Sequence, residues 1–314
     1  MPIYRCPRLK TPLKYEQDAL IAQDGTRYPI RDGIADFLSP TERNDNMDYY
    51  NHAAVNYDDV AHLSFTIQKC DEEKTRRHMA SRLQLQPNHK VLEIACGTGR
   101  DSVYIAEQLS DKGELYLFDI SEAMLRKCQQ KLSTAKPTVE YALGNACALP
   151  YPDGYFDSVF SFGGLSVFDD IALSLAEMVR VIRVGGRIVV GDESLAPWLY
   201  DSEYGKILLN NNPLFKAKLP LEQMPVQARN VHIEWIIGGV YYLIDFTVGK
   251  GEPEAEFDMP IPGQRGGSLR TRYEGKLEGV TPEALEIMEK ARAQTGKSKH
   301  QWLEDAIRLA AKQS

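Results

Sequence analysis

Short apolar runs alternate with stretches of helical period from Val91 onward. VLEIAC is followed by a predicted helix over 101–109, and ELYLFDI by one over 122–132. VEYALGNA and FDSVFSF then precede a helix over 171–181, and GGRIVVGDE closes the series. Apolar strands separated by helices of this length predict βαβ units, hence a mostly parallel sheet covered on both faces. Right-handed crossovers make this a Rossmann-like, doubly wound α/β fold, with its ligand at the carboxyl ends of the strands.

The flanks read differently. Residues 1–40 are turn-rich, with short strands predicted near 20–21 and 28–30, and form a small N-terminal lobe. Residues 41–85 carry aromatic and charged positions on a helical period and lead into the first strong strand. After Pro197, a helix over 199–209 leads to VHIEWII and VYYLIDFTV, joined by Gly238 and Gly239. A two-residue Gly-Gly loop between apolar runs predicts a hairpin, added here as an antiparallel edge to the parallel sheet. In the tail, SLRTRYE predicts a strand, and 282–294 and 300–312 a helical hairpin. The predicted domains are therefore 1–40, 41–250 and 251–314.

The turn after the first strong strand, ACGTGR, admits several ligands. A P-loop needs Lys-Ser or Lys-Thr after its second glycine, whereas Arg100 and Asp101 follow Gly99. The dinucleotide pattern G-x-G-x-x-G is matched at Gly97 and Gly99 but stops at Ser102. Charge separates the remaining ligands better. Glu93, inside the strand, would repel a pyrophosphate and suits an ammonium group. A carboxylate in an apolar strand also needs a partner. Asp119 ends the next strand, 20 residues after Gly99, where an acid accepts both hydroxyls of a ribose. Ribose, ammonium and no phosphate together describe S-adenosylmethionine.

With these residues in hand, the stretch from Val91 to Asp192 resembles class I S-adenosylmethionine-dependent methyltransferases, in particular the branch of quinone-biosynthesis C-methyltransferases. The likeness rests on VLEIACGTG, FDISEAML, GNACALPYPDGYFDSVFS and RVIRVGGRIVVGDE, in that order. It implies that Gly97 and Gly99 allow close approach to the methionine part of the cofactor, with Glu93 near that end. It further implies that Asp119 holds the ribose, that Ile120 and Met124 pack near the adenine, and that Asn145 and Ala146 read the adenine edge. Two positions depart from the family pattern: Asn145 stands where Asp is common and Ala95 where glycine is common.

Methyl transfer from a sulfonium is an in-line displacement, so the protein mainly aligns donor and acceptor, and a base is needed only if the acceptor must lose a proton. The resemblance places the acceptor near SFGGLSVFDD and under the helices around NYDDVAHLSF. Phe162, Phe168, Tyr57 and Phe65 are the expected apolar lining, and His62, Asp169 and Asp170 the conceivable bases. Aromatics at these spacings are more often core, and Asp169-Asp170 more often caps the helix beginning near Ile171. No catalytic residue is assigned. The absence of an NPPY-type turn disfavours amide and exocyclic-amine acceptors. The expected reaction is methyl transfer to a small, partly apolar metabolite.

Composition narrows the partners. The chain has 314 residues, 43% of them hydrophobic, and a net charge of −7, which disfavours a polyanion as the main partner. Five scattered cysteines, Cys6, Cys70, Cys96, Cys128 and Cys147, form no C-x-x-C pair, which points to a reducing cytoplasm without zinc. Packing roles are expected for Cys96 and Cys147. The N-terminus lacks an apolar leader, and Glu234 and Asp245 interrupt the most apolar later stretch, so no membrane span is expected. The segment YPIRDGIADFL resembles a Trm112-like module found fused to some methyltransferases, here without the cysteines that bind zinc in other versions. It raises an RNA methyltransferase as an alternative. The tail is faintly similar to ribbon-helix-helix proteins, with Arg270 and Arg272 on one strand face, and raises a DNA-binding regulator that senses S-adenosylmethionine. The acidic charge instead favours a helical hairpin that packs on the catalytic domain or on a second copy, as in a homodimer.

Overall fold

The structure is a computed structural model and describes residues 3–43, 45–274 and 280–313. It divides into two compact units, 1–252 and 253–314.

The first unit begins with four short strands, β1 (Lys14–Glu16), β2 (Ala19–Ile21), β3 (Arg27–Arg31) and β4 (Ile34–Asp36), which form an antiparallel meander. Three helices follow: α1 (Asp45–Ala53), α2 (Tyr57–Ile67) and α3 (Glu72–Ser81). The βα alternation then runs β5 (Lys90–Ile94), α4 (Ser102–Ala106), β6 (Glu114–Asp119), α5 (Glu122–Lys131), β7 (Thr138–Leu143), β8 (Phe156–Phe162), α6 (Ile171–Val181) and β9 (Ile182–Glu193). Helix α7 (Glu203–Asn211) leads to the pair β10 (Ala228–Ile236) and β11 (Tyr241–Val248).

Among the described residues these strands make one sheet, ordered β1-β2-β3-β4-β7-β6-β5-β8-β9-β11-β10. The run from β4 to β9 is parallel, and β11 and β10 add the antiparallel edge expected from the sequence. The N-terminal lobe is continuous with this sheet, because β4 pairs in parallel with β7 and Phe37 N donates to Leu143 O at 2.8 Å. Tyr4, Tyr28 and Phe37 pack as a ring cluster beside it, with centroids 5.1 and 5.2 Å apart, and Cys6 Sγ lies 3.4 Å from the Tyr28 hydroxyl.

Strand alternation builds two cores, one on each sheet face. Tyr116, Phe118, Val159, Ile188 and Val190 enter one, and Leu115, Leu117, Phe160 and Val189 the other. Sequence-coded caps fix where helices begin: Ser121 accepts from Met124 N at α5, and Asp170 accepts from Leu173 N at 2.9 Å at α6. Strand order reverses between β5 and β8, so the crevice at their carboxyl ends is the switch point where such folds bind ligands.

Four expectations need correction. The helix predicted over 101–109 is the short α4, which ends at Ala106; Asp101 stands at its N-cap but turns its side chain to Arg76. The helix predicted over 199–209 is split into a 3₁₀ turn at Pro197–Leu199 and α7, with Ser202 capping α7 through Gly205 N. The Gly-Gly hairpin has four connecting residues, since pairing ends at Ile236↔Tyr241. Its turn runs through positive φ at Ile237, Gly238 and Gly239, and the Tyr204 hydroxyl pins it by donating to Gly238 O at 2.9 Å.

The fourth correction lies in the second unit, which consists of α8 (Leu269–Glu274), α9 (Pro282–Thr295) and α10 (Lys299–Gln313). The predicted strand at SLRTRYE is helical: Ser268 Oγ accepts from Thr271 N at 3.2 Å and caps α8. Arg270 and Arg272 therefore do not share a strand face. Residues 275–279 of that region lie outside the described residues. Gly296 ends α9 in the left-handed conformation, and Lys299 pairs with Glu289 at 2.6 Å across the turn.

Candidate functional site

One pocket opens at the switch point, and its floor is the turn after β5. Ala95, Gly97 and Gly99 have φ of 57°, 53° and 82°, so the chain coils back on itself before α4. A Cβ on Gly97 would meet nothing within 4 Å and would project into the pocket that Gly97 lines; Gly163, on the opposite lip, behaves the same way. The glycines thus keep open a space a ligand backbone can enter. Gly99 serves packing instead: a Cβ there would lie 2.6 Å from Cys128 Sγ on α5, and Gly99 does not line the pocket.

Asp119 closes the floor at the end of β6. Its carboxylate accepts from Gly97 N and from Ser121 N, each at 2.8 Å, which ties the glycine turn to the start of α5. Burial pushes this carboxyl up to about 6, against the backbone amides of Ser121, Gly97 and Ile120 that favour its ionised form. Two oxygens carry about four acceptor sites, so lone pairs remain for a diol.

Of the residues singled out in the sequence, Ala95, Gly97, Asp119, Ile120, Met124, Asn145, Ala146 and Phe162 all line this one pocket. Glu93 does not. Strand alternation places it on the sheet face covered by α4 and α5, 2% exposed, with Oε2 lacking a hydrogen-bond partner. Burial, then the nearby Asp101 charge, push its carboxyl well above the ordinary range, offset in part by a hydrogen bond from Ser102. Glu93 therefore lies outside the pocket with its charged form disfavoured, and Asp101 is the carboxyl that lines the pocket.

Asn145 is oriented by its surroundings. Its Oδ1 accepts from Cys147 N at 2.9 Å and its Nδ2 donates to Asp169 Oδ2 at 2.8 Å. The side-chain carbonyl is thus used locally, and Asn145 presents the Asp169 carboxylate at this end of the pocket. Asp170 is the cap of α6, and His62 stands outside the pocket lining, its Nδ1 2.7 Å from Glu72 Oε2. Tyr57, Phe65 and Phe168 line the pocket, as expected.

The helices α1 to α3 form its roof. Asn51 Oδ1 accepts from Ser121 Oγ at 2.8 Å, Lys131 pairs with Asp58 at 2.7 Å, and Arg100 pairs with Glu72. Arg76, buried under Phe65 at 5.0 Å from its ring, bridges Glu72 (2.7 Å) and Asp101 (2.6 Å). Roof and floor are joined by charge-assisted contacts on both sides of the opening.

Opposite the glycine turn is a wall that the sequence reading did not nominate: Glu193, Tyr241, Tyr50 and Ile237. Antiparallel register sets Tyr241 directly across from Glu193, and the Tyr241 hydroxyl donates to Glu193 Oε1 at 3.2 Å. Burial, and then the neighbouring Asp192, push the Glu193 carboxyl up to about 9. An acidic pair closing an otherwise apolar strand, Asp192-Glu193 after GGRIVVG, was the available signal.

A model of the ubiE/COQ5 methyltransferase family matches residues 41–205. The chain belongs to this family. The matched stretch contains the glycine turn, Asp119, Asn145, Phe162 and Glu193, while Tyr241 and the edge hairpin lie beyond it. The family is one of S-adenosylmethionine-dependent methyltransferases, the class and cofactor that the turn and its acids implied. The chain is 40% identical over 106 residues to a "ubiquinone/menaquinone biosynthesis C-methyltransferase UbiE" of Cupriavidus taiwanensis, covering 34% of this chain and 44% of that protein. It is 30% identical over 154 residues to a "demethylmenaquinone methyltransferase" of Symbiobacterium thermophilum, covering 48% and 60%. The chain thus spans about half the length of the curated relatives it matches. Among solved structures it is similar to a SAM-dependent methyltransferase from Aquifex aeolicus, at 18% identity over 57% of this chain and 89% of that one, with a TM-score of 0.40. Among the described residues no helix is long and apolar enough to cross a membrane.

Proposed function

We propose that the protein transfers the methyl group of S-adenosylmethionine to a ring carbon of a small hydroxylated aromatic acceptor of the quinol type. The observation that carries this reading is one continuous pocket, which joins the glycine turn and Asp119 to a wall of aromatic side chains. The curated relatives named for quinone C-methylation supply the acceptor class.

The residues present fit the cofactor. Gly97 and Gly163 leave room where a Cβ would intrude, and Asp119 retains acceptor capacity for a ribose diol. Ile120 and Met124 offer an apolar slot for the adenine, and Asp169, held by Asn145, accepts from its exocyclic amine. Bound there, the cofactor supplies an electrophilic methyl group on a sulfonium. The chain's own part is alignment: α1 to α3 roof the pocket and exclude water, while Tyr50, Tyr57, Phe162 and Tyr241 confine a flat acceptor. Such positioning supplies roughly 7–11 kcal/mol of a displacement barrier. All five cysteines are free, in keeping with a cytoplasmic enzyme.

The test is incubation with methyl-labelled S-adenosylmethionine and 1,4-dihydroxynaphthalene under reducing conditions. Label is expected on ring carbon. Failure of the folded protein to bind S-adenosylmethionine at millimolar concentration would overturn the reading.

A further inference from the structure

Glu193 stands at the carboxyl end of β9, half-buried, on the far side of the pocket from the glycine turn. Its titratable neighbours are Asp192 on its own strand, Tyr241 and Tyr242 from β11, Tyr50 from α1 and Tyr57 from α2, and the cations Arg76 of α3 and Arg100 after the glycine turn line the same pocket. Asp192 is fully buried and satisfied, accepting from Ser166 N at 2.5 Å and from Glu193 N at 2.8 Å. The four tyrosines are all pushed above the ordinary phenol range, chiefly by burial, and stay neutral. Glu193 is therefore a carboxyl that faces a substrate-sized cavity with a negative neighbour behind it and one hydroxyl donor, Tyr241, beside it. Burial and the Asp192 charge favour its protonated form in the empty pocket. A structural role alone leaves unexplained why an acid sits on an aromatic wall that an apolar side chain would complete.

We propose that Glu193 is the acid-base residue of the acceptor half of the pocket, and that the sulfonium charge of the bound cofactor converts it from the neutral to the ionised form. The proposal rests on the methyl-transfer reading above. A positive charge arriving in the same cavity favours the carboxylate, and Tyr241 then donates to it. The ionised Glu193 takes the hydroxyl proton of the acceptor, which raises electron density on the adjacent ring carbon. That carbon bonds to the methyl group as the methyl–sulfur bond breaks, and the electron pair stays on sulfur. The ring proton then leaves to water, and the carbonyl oxygen recovers its proton from Glu193. One proton is released per turnover and Glu193 is regenerated. Glu193 lines the same pocket as the aromatic wall, with Tyr241 as its hydrogen-bond donor, so its ionised form is placed to accept the hydroxyl proton.

The ionisation step is measurable without an acceptor. Calorimetric titration with S-adenosylmethionine and with S-adenosylhomocysteine, at pH 8 in two buffers of different ionisation enthalpy, counts protons exchanged per ligand bound. The excess release with the charged ligand is expected to be greater by roughly half a proton in the parent chain than in Glu193→Gln. Equal excess in the two proteins overturns the proposal. Tyr241→Phe provides an independent readout, because removing the hydroxyl that stabilises the carboxylate moves the pH of greatest release upward; an unmoved profile also overturns it. In single turnover with 1,4-dihydroxynaphthalene, Glu193→Gln is expected to be about 100-fold slower. Binding of S-adenosylmethionine without Glu193-dependent proton release removes this proposal alone, whereas no binding by the parent chain removes the methyl-transfer reading with it.

Discussion

The floor and the wall of the pocket are built on different principles. The floor, Ala95 to Gly99 with Asp119, is held by backbone: positive φ angles and two amide hydrogen bonds to one carboxylate. The wall, Tyr50, Glu193, Ile237 and Tyr241, is held by side chains from three regions far apart in sequence: α1, the end of β9 and the edge hairpin. Backbone requirements leave short contiguous motifs, because only certain residues tolerate the conformation. Side-chain convergence leaves none, because each residue is ordinary in its own segment. The difference teaches that the cofactor half of such a site is recognised from sequence while the acceptor half is assembled by topology.

The largest effect is expected where the floor is tied to the roof by a buried cation. Arg76 is buried between Glu72 of the roof and Asp101 of the floor, and removing it leaves Asp101 as an uncompensated buried charge. Arg76→Ala is expected to cost about 3–5 kcal/mol of stability, read as a lowered urea midpoint. A loss under about 1 kcal/mol would mean that roof and floor are held independently.

Next in size is a change confined to the floor. Asp119→Asn replaces an acceptor oxygen by a donor facing Gly97 N or Ser121 N and weakens any hold on a diol. Affinity for S-adenosylmethionine should fall about 100-fold, the worth of charged hydrogen bonds. The pH dependence has a definite sign. The carboxyl is pushed up to about 6, so the parent chain gains affinity as pH rises through that value and levels off above it. The Asn variant should show no such rise in a calorimetric series from pH 5 to 8.

The same contrast explains what the sequence revealed. The parallel sheet was legible because VLEIAC, ELYLFDI and GGRIVVG are apolar on both faces, as doubly covered strands must be. Asp119 was legible from its place at a strand end. Glu93 was expected near the methionine end of the cofactor, but packing buries it on the face covered by α4 and α5, outside the pocket lining. The hold of Asn145 on Asp169 and the pairing of Glu193 with Tyr241 are contacts across 24 and 48 residues, which no local pattern encodes. The tail failed for a different reason. Alternation in SLRTRYE suits a strand, yet Ser268 offers a helix cap, and the cap prevails over six residues.

A third test separates the roof from the floor by pH. Burial raises the Glu72 carboxyl, but hydrogen bonds from His62, Arg100 and Arg76 outweigh it and hold the group at about 2. Its folded value is depressed, so its contribution is fully present above about 4.5 and is lost as pH falls toward 2. Glu72→Gln should therefore destabilise by on the order of 2 kcal/mol at pH 6 and by almost nothing near pH 2. Urea melts at the two pH values check this. A penalty of equal size at both would assign Glu72 a packing role and leave Lys131–Asp58 as the ionic tie of the roof.

The smallest effect asks how far the floor is governed by backbone. Ala95 holds a left-handed φ of 57° where glycine would be unstrained, and it does so because Gly164 makes room: a Cβ on Gly164 would lie 2.6 Å from Ala95 Cβ. The methyl group is thus accommodated sterically while the dihedral strain remains, at a cost on the order of 1 kcal/mol. Ala95→Gly removes the strain but widens the unfolded ensemble by a comparable amount, and it opens a gap against Gly164. The two terms nearly cancel, so stability should change by less than about 1 kcal/mol. Cofactor affinity is the sharper readout, because the gap borders the pocket. Gly164→Ala should be clearly worse than Ala95→Gly in both melting temperature and S-adenosylmethionine binding, since its added Cβ has no space beside Ala95. Restoration of Gly164→Ala by a second change, Ala95→Gly, would show that the pair is one packing unit in which only one member can carry a Cβ.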